Sequence, residues 1–149
     1  MFNRFLEKKI SLTVGLAFFV LVCASSSVHA FAVTSAFGWR THPIDGEEKF
    51  HTGVDLAEEY GTPIGAIWAG KVAFSGAYGG YGNVVIIDHG NNVITLYGHC
   101  AELTVQAGQV VVQGDLIGYV GSSGYSTGPH LHLELWRDGK YVDPLTIWE

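Results

Sequence analysis

The chain carries only two cysteines in 149 residues, Cys23 and Cys100. Two cysteines cannot build the disulfide framework that staples many small exported domains. Positive charge is also scarce: 8 Lys and Arg stand against 14 Asp and Glu, a formal net charge of −6. So small a basic complement cannot form the large cationic face that binding to phosphates needs, which argues against nucleic acid as a partner. Charged residues of both signs reach only 15% while hydrophobic residues make up 48%, the reverse of a disordered composition. No internal repeat, charge run or linker divides the chain, and no stretch shows a capped helical period. The 20 glycines lack a collagen period, and the length suits one domain.

Residues 1–30 have the layout of a secretory signal peptide. Arg4, Lys8 and Lys9 form a positive start, Leu12 to Ala24 is apolar apart from Thr13, and Val28-His29-Ala30 resembles a cleavage site. The apolar core of roughly 13 residues falls short of the ~20 that span hydrocarbon. Cleavage is therefore expected over retention as an N-terminal membrane anchor, and a membrane is a partner only if the segment stays. Val22 before Cys23 disfavours a lipid anchor. The expected location is the periplasm or the cell surface. Removal of residues 1–30 leaves 5 basic and 13 acidic residues, a charge of −8, and Cys100 alone. The remaining 119 residues must then be held by a core, a metal, or both.

Beyond residue 30 the chain reads as all-β. Runs rich in Val, Ile, Leu and Tyr cover Gly70–Phe74, Asn83–Asp88, Asn92–Tyr97, Asp115–Val120 and His130–Trp136, punctuated by glycine. Gly90-Asn91-Asn92 and Asp138-Gly139 are hairpin signals. Gly76–Gly82 and Gly121–Pro129 read as loops of small residues, the second a candidate site wall.

Seven histidines are many for this length, and they are clustered. His51 and Asp55 lie four apart, with the poor helix formers Thr52, Gly53 and Val54 between them, so an extended reading is preferred. His130-Leu131-His132 puts two imidazoles on one strand face, with Leu131, Leu133 and Leu135 on the core side. Imidazole and carboxylate are zinc ligands, and a catalytic zinc site uses three protein ligands plus water. The His51/Asp55 pair with one histidine of the HLH strand completes such a set. His99 is among the imidazoles left for proton transfer or oxyanion stabilisation. Each spacing alone is weak; their combination in one short chain is the signal.

The flanking residues make the pattern specific. Phe37-Gly38-Trp39-Arg40-Thr41-His42-Pro43 resembles the FGxRxHP stretch of lysostaphin/LytM-type zinc metallopeptidases, and His51 to Asp55 resembles their HxGxD motif. Gly61-Thr62-Pro63-Ile64 with Ala69-Gly70-Lys71-Val72, then Tyr81 to Gly90, Leu96-Tyr97-Gly98-His99 and Gly121 to Glu134 are similar to further motifs in the same order. The resemblance spans about residues 35 to 146, within a domain expected over 31–149. It implies an all-β single domain of antiparallel sheets, with long loops forming a substrate groove. It implies one Zn²⁺ on His51, Asp55 and His132, and catalytic histidines at His99 and His130. It implies peptidoglycan as partner, with peptide bonds of cross-links or stem peptides as substrate. Relatives that lost these residues serve as activators of other wall hydrolases; all five are present here. The alternatives are a non-catalytic wall-binding or amidase-activating member, or an exported zinc-binding protein. The last would need neither His99 nor the GPHLHxE stretch. No wall-binding module, coiled coil or room for an inhibitory propeptide between Ala30 and Phe37 is recognised.

Other residues are read with less at stake. Arg40, Tyr81 and Tyr125 are candidate groove residues, and Glu134 is a candidate support for His132. Their plain alternatives are a surface ion pair, loop packing and an exposed strand carboxylate. His42 is expected at the rim, His89 in solvent at a hairpin, Trp39 packed under a loop, and Cys100 packed as a free thiol.

Overall fold

The computed structural model describes residues 32–42, 44 and 46–148. The signal segment expected over residues 1–30 lies outside the described residues. Within them the chain forms thirteen strands, two 3-10 turns and no α-helix. The first five strands are β1 (Ala32–Ser35), β2 (Gly38–Thr41), β3 (Glu48–His51), β4 (Val54–Ala57) and β5 (Pro63–Gly65). Then come β6 (Gly70–Ala77), β7 (Asn83–Asp88), β8 (Val93–Cys100) and β9 (Glu102–Leu103). The last are β10 (Val110–Val111), β11 (Leu116–Tyr119), β12 (His130–Arg137) and β13 (Lys140–Val142).

Eight strands make the main sheet, in the order β1-β4-β12-β8-β7-β6-β10, with β13 pairing β12. A smaller sheet runs β5-β11-β9, and β2-β3 form a ribbon of their own. Every ladder among these strands is antiparallel. The turns are where the sequence signals put them. Gly90, Asn91 and Asn92 take φ of 78°, 50° and 59°, and Asp138-Gly139 takes 51° and 72°; glycine and asparagine are among the few residues that accept such angles readily. β6 runs three residues beyond the expected Phe74, so Gly76 and Ala77 are strand. The strands that no sequence run announced, such as β5, β9 and β10, have two to four residues each. So short a segment shows no period, and its partner lies far along the chain.

β12 is the axis of the fold. Leu131, Leu133 and Leu135 are buried on one face, and His130, His132 and Glu134 alternate onto the other. The leucine face joins Val54 and Leu56 of β4, Val85 and Ile87 of β7 and Tyr97 of β8, and meets Ile64 and Ile117 of the smaller sheet in one core. The two faces cannot be exchanged, because a slip of one residue would drive the imidazoles into that core. Gly53, at the corner between β3 and β4, presses on β12: a Cβ there would stand 2.3 Å from the Leu133 carbonyl. Cys100 packs into the same core as a free cysteine, as expected, and burial pushes its thiol up to about 12.

Two side chains depart from expectation. Trp39 is 74% exposed and meets Phe50 edge-to-face, the β2-β3 ribbon having no layer over that side among the described residues. His89 is not simply solvated. Its Nδ1 meets the Ala69 carbonyl at 2.8 Å, its Nε2 meets Thr95 Oγ1 at 2.8 Å, and its ring packs on Trp68.

Leu133 is 1% exposed and central to the core. Its replacement by alanine should lower unfolding free energy by about 2–5 kcal/mol. Urea denaturation of parent and variant measures it; an unchanged midpoint would contradict the placement of the core.

Candidate active site

His51, Asp55 and His132 come from three strands and meet at one point. Asp55 on β4 stands opposite His132 on β12 in the ladder. His51 ends β3, and the chain turns through Thr52-Gly53 before β4 begins. The four-residue spacing therefore bridges two sheets rather than lying along one strand. His132 Nδ1 is 2.9 Å from Asp55 Oδ1 and 3.2 Å from His51 Nε2, and His51 Nε2 is 3.2 Å from Asp55 Oδ1. A tetrahedral metal with bonds of about 2.0–2.1 Å has ligand–ligand edges of about 3.3 Å. The three donor atoms are thus spaced as three corners of such a centre, and the set fits a metal ion.

Hydrogen bonding decides which nitrogens face that point. His51 Nδ1 lies 2.9 Å from the Ala36 carbonyl, so it must be the N–H, and Nε2 carries the lone pair. His132 Nε2 lies 3.2 Å from Glu134 Oε1, which leaves the lone pair on Nδ1. Two imidazole lone pairs and a carboxylate oxygen therefore converge, and only a cation or a proton satisfies them together. Burial opposes ionisation of Asp55, but hydrogen bonds and charge from His132 and His51 outweigh it and hold the carboxyl far below the carboxylate range. Burial likewise opposes charge on His132, but Asp55 and Glu134 win and raise it above the ordinary histidine value. Both shifts mark a pocket of negative potential suited to positive charge.

Glu134 is the group behind His132. It is fully buried. Its Oε1 accepts from His132 Nε2, from Tyr81 OH at 2.9 Å and from Thr52 Oγ1, and its Oε2 accepts from Trp136 Nε1 at 2.8 Å. Burial would raise its pKa, and these donors more than reverse that. Burial and the charge of Glu134 push the Tyr81 phenol up, so it remains a donor. Glu134 is therefore not an exposed strand carboxylate; it is buried and hydrogen-bonded to His132. Thr52 and Trp136 do not stand out in the sequence; only the strand alternation from Glu134 to Trp136 hints at the second.

His99 and His130 line the same groove, with ring centroids 4.7 Å apart. His99 Nδ1 lies 2.8 Å from the Ser123 carbonyl and His130 Nδ1 2.8 Å from the Gly128 carbonyl, so each offers Nε2. Strand alternation would have sent His99 to the core with Tyr97. Instead two residues, Gly98 and His99, oppose the single Val84, and His99 takes φ of 60°. This bulge turns the imidazole to the groove and returns Cys100 to the core. Burial depresses the pKa of His99, and neighbouring His130 lowers it further, against the Ser123 hydrogen bond.

The groove has a volume of about 310 Å³. One wall comes from β2-β3 with Arg40, Lys49 and Phe50, the last two unread from sequence. The opposite wall is made of the two small-residue loops fastened together: Tyr125 N donates to the Gly80 carbonyl at 2.8 Å and Asn83 N to Ser123 Oγ at 2.9 Å. Tyr125 stacks on His42 at 5.6 Å across the rim. Tyr81 both lines the groove and anchors Glu134. All nine expected site residues lie at or directly behind this one groove.

A family model described as peptidase family M23 matches residues 49–144, well over half of the chain. The chain belongs to peptidase family M23. Among M23-like relatives, a Neisseria meningitidis protein named DD-carboxypeptidase/endopeptidase Mpg is 46% identical over 115 residues, covering 77% of this chain and 26% of that protein. The Vibrio cholerae protein named peptidoglycan DD-endopeptidase ShyC is 42% identical over 108 residues, 72% of this chain and 25% of its own length. The chain thus spans about a quarter of these curated relatives. The catalytic domain of lysostaphin from Staphylococcus simulans superposes with a TM-score of 0.72 at 30% identity, over 80% of this chain and 93% of that domain. The M23 membership and the all-β antiparallel fold agree with the motif resemblance.

The donor triangle gives a direct expectation. The purified protein should bind one divalent transition-metal ion per chain, and His132→Ala should fall well below one equivalent by metal analysis. Glu134→Gln should keep the stoichiometry at saturation with affinity about 10–100-fold weaker, the usual cost of removing a group that orients a metal-binding histidine. Full occupancy in His132→Ala would remove it from the ligand set. The bulge gives another. A non-glycine residue in the left-handed region costs of order 1–3 kcal/mol, so His99→Gly should be as stable as the parent or more so, and His99→Val less stable, in the same melts.

Proposed function

We propose that the chain is an exported zinc endopeptidase that hydrolyses peptide bonds in peptidoglycan cross-links or stem peptides. The observation that carries this reading is the placement of two further imidazoles, each with Nδ1 on a backbone carbonyl and Nε2 turned to the groove, beside a triangle of three donors that fits a metal. A binding site alone would need the triangle; a hydrolase needs the triangle and a proton relay.

His51, Asp55 and His132 would hold the ion, and the nitrogen and oxygen donor set suits zinc. Bound zinc supplies Lewis acidity, polarising a carbonyl and bringing the pKa of a water down towards ~7. His99, kept neutral by its burial, fits the acceptor of the water proton at Nε2. His130 is placed to face the developing oxyanion, its Nε2 turned into the groove 3.6 Å from Asp55 Oδ1. The carbonyls of Ser123 and Gly128 fix both rings, so neither must reorient during the reaction. The peptidoglycan substrate is supported by the motif resemblance and by relatives named for it, and export by the layout of residues 1–30 together with the location of such a substrate.

His99→Ala and His130→Ala should each retain zinc and lose ~10²–10⁴ in rate on purified sacculi. A variant cleaving at the parent rate would lose its assigned role. The pH profile follows from the two shifts. His132 is raised, so as pH falls protons contest the metal above the ordinary histidine range; His99 is lowered, so its protonation comes later. Activity should rise through mildly acidic pH to a maximum near neutrality or just above. Its acid limb should follow zinc content and move to lower pH when free zinc is raised. Activity lost at full zinc occupancy well above pH 6 would contradict this order.

A further inference from the structure

Resting on the peptidase reading above, we propose that Arg40 is a specificity-determining residue. It binds a free carboxylate on the carbon that bears the leaving amine, so the groove prefers amides whose departing residue carries that carboxylate.

The groove inverts the charge of the molecule. The chain has 14 acidic and 8 basic residues, yet the groove lining includes the cations Arg40 and Lys49 and a single acid, Asp55. Asp55 is already committed, because its Oδ1 faces both donor histidines. The Arg40 side chain is 22% exposed, and its Nη2 stands 3.8 Å from Asp55 Oδ2, too far for a hydrogen bond. Its Nε is buried with no hydrogen-bond partner among the described residues. A partly desolvated guanidinium with an unmet donor is unfavourable until an acceptor arrives, and its planar fork matches a carboxylate in two parallel bonds.

Position selects which carboxylate. Arg40 stands just beyond the Asp55 corner of the donor triangle. The scissile carbonyl must approach the open side of that triangle, beside His99 and His130. A carboxylate on the carbon that bears the leaving nitrogen lies about 3–4 Å from the scissile carbon, and one a residue further on lies about 7 Å away. The nearer one matches the 3.8 Å that separates the guanidinium from the Asp55 corner. A leaving group that continues as a peptide chain puts a neutral carbonyl there instead. In the reaction the C–N bond breaks, the water hydroxyl joins the carbonyl carbon and a proton goes to the leaving amine. The recognised carboxylate is unchanged.

The test uses the zinc-loaded chain and two N-acylated peptides ending in D-Ala-D-Ala, one with a free C-terminal carboxylate and one as the carboxamide. The parent should favour the carboxylate by about 10- to 100-fold in kcat/KM, the worth of a charge-assisted hydrogen-bond pair. In Arg40→Met and Arg40→Gln the ratio should fall towards one, the second variant keeping a polar side chain on the strand. Calorimetric titration of the two peptides into His99→Ala, whose turnover should be ~10²–10⁴-fold slower, should show the same gap, and Arg40→Gln added to it should close that gap. A parent that hydrolyses both peptides equally overturns this inference alone. So does an Arg40 variant that keeps its zinc and the parental ratio. A parent that hydrolyses neither peptide nor sacculi overturns the peptidase reading and this one with it.

Discussion

Three lone pairs aimed at one point are the constraint on which the rest of this structure depends. His51 Nε2, His132 Nδ1 and Asp55 Oδ1 lie 2.9–3.2 Å from one another, and neither imidazole can turn away cheaply. Each has its other nitrogen fixed, His51 by the Ala36 carbonyl and His132 by Glu134. Inside a protein an unsatisfied arrangement of this kind costs more than it would in water. Positive charge resolves it, and the buried Glu134 strengthens the demand by making His132 a better electron donor. A carboxylate with no exposure is itself costly. Here it is met by donors from His132, Tyr81, Thr52 and Trp136, so the charge is held rather than stranded.

Folding and chemistry share β12 but use opposite faces of it. The leucine face buries apolar surface whether or not a metal is bound, so the fold has a driving force of its own. The histidine face gains nothing from burial and exists for the groove. Only at His99 do the two demands collide. The residue follows a core tyrosine at the spacing that would bury it, and the chain departs from the pleat to free it. The left-handed φ of 60° is the local strain that remains, tolerated because Tyr97 and Cys100 anchor the core on either side.

That collision also marks the limit of what the sequence discloses. The donor cluster was legible in outline because HxxxD and HLH are side-chain patterns, with His132 singled out from His130 only by the motif resemblance, and so was the two-faced character of β12. The strand pairing that brings Asp55 opposite His132 was not, because short strands from distant parts of the chain meet through contacts that no local period reports. The carbonyls of Ala36, Ser123 and Gly128 were invisible for a deeper reason: every residue has a carbonyl, and only the fold says which one points at a ring. Glu134 could be placed on the right face by counting in twos. Whether it would be buried depended on Thr52 and Tyr81 arriving from separate elements to join Trp136 of the same strand. Trp39 misleads because a large aromatic usually signals packing, and the β2-β3 ribbon leaves that side bare.

Charge separates the exterior of this molecule from its groove. An acidic surface offers little long-range attraction to anionic polymers, so on the function proposed above recognition would not rest on the field of the whole protein. It would be made locally, in the groove that Arg40 and Lys49 line. At that range a cation acts through hydrogen-bond geometry as much as through charge, and a half-buried guanidinium discriminates by what it would be left without. The same logic runs through the metal donors and Glu134. In each case a polar group is held in a place where only one kind of partner completes it, and the selectivity of the site is the sum of those unmet requirements.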